Sequence, residues 1–153
     1  MNKILLIAAL AVAGYYILLP GSGGPNSPEA ASGPGLVSTA GQQADASLEH
    51  AYTNRLSNQQ LAGKGTVVKL LPDDDTGSRH QRFIVKLNSG RTLLIAHNID
   101  LAPRMDRLRE GDVVEFYGEY EWNVKGGVMH WTHHDPQGRH PGGWIKHNGQ
   151  TYQ

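Results

Sequence analysis

Past Gly63, apolar and polar residues alternate with the period of strands that bury one face. The stretch HQRFIVKL puts Phe83, Val85 and Leu87 on one side and His80, Arg82 and Lys86 on the other. KGTVVKLL and a PDDDTGS turn precede it, and NSG then RTLLIAHN follow, so three strands form a meander. The segment IDLAPRMDRLREG fits neither a strand nor a long helix. Alternation resumes in DVVEFYGEYEW, with Val114, Phe116, Gly118, Tyr120 and Trp122 facing one way and Glu115, Glu119 and Glu121 the other. After NVKGG a fifth strand, VMHWTHH, is expected, and GWIKHNGQTYQ ends the chain as two short strands around an Asn-Gly turn. A meander, a connector and a hairpin follow the order of a small all-β, OB-like Greek-key barrel over residues 63–153, a fold that carries ligands on its second and third strands.

Upstream of the barrel the pattern changes twice. In SLEHAYTNRLSNQQLAG, Leu48, Tyr52 and Leu56 recur at helical spacing. This predicts a short helix over 47–62, capped by Asp45 or Ser47, stopped by Gly63 and packed on the barrel as a lid or brace. Residues 21–46 are mostly Gly, Pro, Ser, Ala and Gln, too poor in apolar surface to offset the entropy of ordering, and read as a flexible tether. Residues 1–20 hold a lysine and then an uncharged apolar run, Ile4 to Leu19, stopped by Pro20. No small-residue cleavage box follows directly, so an uncleaved inner-membrane anchor is expected, with a cleaved export signal as the alternative. Either way the barrel is expected in the periplasm.

Charge and cysteine content narrow the chemistry. With 14 basic and 14 acidic residues, no global field draws the protein to nucleic acid or anionic lipid, and such a partner would need a local patch. Without cysteine, imidazole and carboxylate are the strong metal ligands that remain. The stretch VMHWTHHDPQGRHPGGW holds four of the eight histidines.

In an OB barrel with NSG as the turn, His80 and Gln81 lie opposite Asn98 and His97, and the fifth strand runs parallel beside the third. His97 and Asn98 are thereby expected at one rim with His133, His134 and Asp135, while His130 points either to that rim or into the barrel. His97, His133, His134 and Asp135 are the candidate ligands for zinc or another divalent transition metal. His80, Arg82, His97, Asn98, Trp131 and Trp144 are the candidate contacts for single-stranded nucleic acid or an oligosaccharide. The leading expectation is an anchored periplasmic binding domain with nucleic acid as the first ligand class. The alternatives are a metal-dependent, nuclease-like hydrolase and a metal-binding or structural envelope protein.

Plainer readings stand beside these. His50 and His147 are expected to be exposed, His97 is as well explained by a satisfied core position, and Trp122 shares the core face with Phe116. Glu115, Glu119 and Glu121 are expected to be a solvated strand face, and Asp73, Asp74 and Asp75 a turn.

Two resemblances bear on the barrel. LREGDVVEFYGEYEWNVKGGVMHW resembles, in layout, the last hairpin of periplasmic OB domains, including the membrane-anchored haem chaperone of cytochrome c maturation. The histidine, three residues and tyrosine of that chaperone's attachment pattern are absent, since four residues separate His147 from Tyr152. SRHQRF, TLLIAHNIDLAPR, GEYEWN, GGVMHWTHHDP and GGWIKHNG together resemble a bacterial exported domain family of unknown function. That resemblance implies an export or anchor segment and supplies no activity, ligand or catalytic residue.

Overall fold

The computed structural model describes residues 38–153, and the apolar run and most of the tether lie outside the described residues. One helix, α1 (Ser38–Thr53), precedes seven strands: β1 (Gln59–Leu70), β2 (His80–Leu87), β3 (Thr92–Asn98), β4 (Val113–Glu121), β5 (Val128–His130), β6 (Trp144–His147) and β7 (Gln150–Tyr152). Hydrogen bonding runs β1-β2-β3-β5-β4, and a further β1–β4 pairing closes the ring. The result is the expected five-stranded OB-like barrel, in which β3 and β5 run parallel and the other neighbours antiparallel. Among the described residues no helix is long and apolar enough to cross a membrane.

The helix lies earlier than the sequence pattern placed it. It begins within the expected tether and ends before Asn54, where Arg55 takes a left-handed φ of 55°. The amide of Leu56 bonds the Ala51 carbonyl and that of Arg55 the Tyr52 carbonyl, the two bonds of a Schellman cap. Arginine does here what the sequence reading assigned to Gly63. Leu48 and Ala51 are buried, Leu56 packs on the core past the cap, and Arg91 pairs with Glu49, so α1 does brace the barrel.

Gly63 instead sits inside β1, opposite Phe116 in β4. A Cβ there would run into the Phe116 ring and Leu48, so glycine is what lets the helix and the ring meet over this strand. The interior beneath is apolar, with Phe83, Val85, Ile95, Phe116, Met129 and Ile145 at 0 % exposure.

Two inward-facing polar residues hold the connector between β3 and β4. Gln81 and His97 are register partners at the end of the β2–β3 pair. The Gln81 amide donates to the Met105 carbonyl at 3.1 Å and accepts from the Met105 amide at 2.9 Å. His97 donates from Nε2 to the Pro103 carbonyl at 3.2 Å and accepts from the Thr132 hydroxyl at Nδ1 at 2.9 Å. Every polar atom of this buried pair has a partner, as burial requires.

The chain ends in the expected Asn-Gly hairpin between β6 and β7, with φ of 49° at Asn148 and 78° at Gly149. A Cβ at Gly149 would meet open space, so the cost of Gly149→Ala is conformational alone. It should destabilise the domain by about 1 kcal/mol, read as a lower denaturant midpoint at unchanged slope. His147, expected to be exposed, is instead buried beside this turn, where Nε2 donates to Asp112 at 2.8 Å and ties β6 to the start of β4.

Candidate metal centre on the outer barrel face

The second edge of β4 is shared by two strands. β6 pairs with Val114 to Tyr117, and β5 pairs with Glu119 to Glu121. Gly118 lies where they part, close under the His130 carbonyl. In this register Glu119 faces His130 and Glu121 faces Val128. Alternation turns Val114, Phe116 and Tyr120 inward, so Glu119, Glu121 and His130 share the outer face, two as a direct cross-strand pair and the third on the diagonal.

One donor atom from each of Glu119, Glu121 and His130 falls within 4.8 Å of the others. His130 Nε2 lies 3.4 Å from Glu119 Oε1. In a tetrahedral zinc shell with bonds of ~2.1 Å, ligand atoms are about 3.4 Å apart, so these two already stand at ligand spacing. His130 Nε2 is also buried without a hydrogen-bond partner, an orphaned lone pair or N–H beside two carboxylates. Burial pushes the His130 pKa down against the opposing pull of Glu119 and Glu121, which favours the neutral imidazole that ligates metals.

A second imidazole reaches Glu119 from the segment between β5 and β6, on the carboxylate oxygen that does not face His130. Trp131 ends β5 by adopting a left-handed φ of 52°. The strand therefore stops at His130 and does not run through VMHWTHH as expected. His140 returns to the site, with its ring 4.0 Å from the Trp131 ring at an angle of 12°. Its Nδ1–H donates to the Pro141 carbonyl at 2.8 Å and its Nε2–H to Glu119 Oε2 at 2.6 Å. Both nitrogens face acceptors, an arrangement that favours the doubly protonated ring. Burial opposes that charge, but the Glu119 and Pro141 acceptors outweigh it and raise the pKa.

The residues expected at the rim divide between this face and the interior. His80, Asn98, His130, Trp131 and His133 do meet, lining an open cleft of about 310 Å³ with Ser78 and Leu101. A neighbouring cleft of about 380 Å³ adds Asp74, Arg82, Ala96, Glu121 and Val128, with His80 and His130 in common. His80 and His133 each turn Nδ1 to a backbone carbonyl, that of Ser78 at 2.7 Å and that of His134 at 2.8 Å, which fixes the two rings. Arg82 is committed to the Pro72 carbonyl at 3.0 Å and to Asp74 at 3.6 Å. Trp144 lies apart, on β6, stacked on Tyr117 and overlaid by the Lys146 ammonium.

His97, His133, His134 and Asp135 do not form a convergent ligand set; among the described residues the set that converges is Glu119, Glu121 and His130. His97 faces inward, with both nitrogens used, and desolvation takes its pKa down to about 4. His134 is exposed. The Asp135 carboxylate accepts from the backbone amides of Gln137, Arg139 and His140, at 3.0, 2.7 and 2.9 Å, and these bonds hold its pKa below the usual carboxylate range. Asp135 shapes the segment that delivers His140. Comparison with curated proteins found no match. Residues 35–153, more than three-quarters of the chain, match a family described as Protein of unknown function (DUF3465), and the chain belongs to that family.

Proposed function

We propose that the protein is a membrane-anchored periplasmic domain that binds a divalent transition metal through Glu119, Glu121 and His130, with zinc as the best-suited ion. The observation that carries this reading is the convergence of two carboxylates and an imidazole within 4.8 Å on one rigid strand pair. Mixed oxygen and nitrogen donors suit zinc and its borderline neighbours better than calcium or magnesium, which take oxygen alone. The face favours a cation over a phosphodiester backbone, since Asp74 and Glu121 line the larger cleft, Glu119 stands beside His130, and Arg82 is already paired. Single-stranded nucleic acid, the first ligand class expected from sequence, is therefore the weaker reading.

Calorimetric titration of the full chain in detergent with zinc, copper and magnesium tests the site. Zinc should bind one-to-one, and Glu119→Gln and His130→Gln should each weaken it at least tenfold while melting near the wild type. A wild-type chain that takes up no transition metal would sink the reading. Fractionation tests the location, where recovery in the soluble periplasmic fraction would remove the anchor.

A second reading rests on the cleft beside His130, which has room for a small ligand next to the metal. Metal-assisted hydrolysis there predicts turnover of a chromogenic phosphodiester that is lost on chelation and restored by zinc.

A further inference from the structure

Resting on that metal reading, we infer that His140 is the fourth ligand of the centre, so that binding a metal ion pins the segment 131–143 to the barrel. Glu119 stands between two imidazoles, with Oε1 at 3.4 Å from His130 Nε2 and Oε2 at 2.6 Å from His140 Nε2. The hydrogen on His140 Nε2 points at the carboxylate that would hold the metal. An arriving ion takes the place of that hydrogen, the proton passes to solvent, and a metal–nitrogen bond replaces the N–H···O bond.

The surroundings of His140 are those of a prepared ligand. Its Nδ1–H is held by the Pro141 carbonyl, which fixes the ring orientation and leaves Nε2 as the ligating atom, the usual second contact of a metal-bound histidine. Its backbone amide is one of three gathered by Asp135. One ring face lies on Trp131, whose left-handed backbone is what turns the chain out of β5 and back over the site. With the His140 ring drawn in from Glu119 Oε2, two glutamates and two histidines would supply four protein ligands, and a shell closed by four protein ligands holds a metal without offering it to substrate. The fourth ligand thus favours a holding or structural role over hydrolysis.

The same contact allows the opposite behaviour, in which the His140 cation competes with the metal for Glu119, and the two differ in sign. Zinc alone is titrated into the full chain and into His140→Gln, with Glu119→Gln as the reference for a broken site. The fourth-ligand role predicts affinity lowered at least tenfold in His140→Gln. It also predicts a zinc-dependent change in tryptophan emission and protection of 131–143 from protease in the wild type, both missing in the variant. Equal or tighter zinc binding by His140→Gln overturns the inference while leaving the three-residue site intact. Failure of the wild type to bind zinc overturns both. Should His140→Gln not fold, nitrogen-15 histidine spectra of the zinc-loaded wild type decide: two metal-bound Nε2 signals support the fourth ligand and one overturns it.

Discussion

Lowering the pH from 7 to 4 should cost the folded state about 3 kcal/mol through His97 alone. In the fold its pKa is about 4, against 6.5 for an exposed imidazole, because burial penalises the imidazolium and both nitrogens are already engaged. Below pH 6.5 the unfolded chain takes up a proton that the folded chain refuses until about pH 4. The contribution is therefore whole at neutral pH, declines across that window and levels off beneath it. Denaturant midpoints at successive pH values, compared between the wild type and His97→Leu, isolate the effect from the carboxylates. His97→Leu should be weaker at pH 7, since the Thr132 hydroxyl and Pro103 carbonyl lose their partner, and should lack the slope between pH 6.5 and 4. Parallel curves would refute the assignment.

Phe116→Ala should cost about 3 to 5 kcal/mol, the range for emptying a fully buried aromatic position, and a large share of the stability of a small domain. Its ring is 0 % exposed and lies against Gly63, where β1, β4 and α1 meet. Gly63→Ala should be harmful in the wild type, because the new methyl group needs space the ring occupies. In the Phe116→Ala background that methyl group enters the vacated volume with only the end of the Leu48 side chain left to shift, and the same substitution should be markedly less harmful. A double-mutant cycle reads this as a coupling of about 1 to 3 kcal/mol. Additive effects would show that the two positions do not share the space.

The strands were legible because their alternation is regular. HQRFIVKL forms β2 residue for residue, and the pairings of His80 with Asn98 and Gln81 with His97 follow from the NSG turn. Facing was harder to read than pairing. Along one strand His80 turns outward and Gln81 inward, so His97, taken for a rim ligand, is a core peg for the connector. The helix boundary was missed because Arg55 and Asn58 take left-handed backbone that composition assigns to glycine. The convergent cluster was missed for a similar reason. Gly126 and Gly127 both have positive φ, and the NVKGG loop could not fix the β4–β5 register from sequence. A slip of one residue there would move His130 away from Glu119 and leave the glutamates as the solvated face they were taken for. His140 was out of reach of any local pattern, since Asp135 and Trp131 bring it back to the sheet from outside the strands.

The seam that closes the barrel joins Gln59–Thr66 to Val113–Tyr120, stretches far apart in the chain. The β2–β3 hairpin forms across a tight turn, but this row of backbone bonds cannot begin until the whole meander and connector are gathered between its ends. Loop-closure entropy of that size places the domain with slow-folding all-β topologies, in the range of milliseconds to seconds. Until the seam closes, β1 and β4 present bare edges, so the newly made chain is most open to pairing with a second copy during that interval.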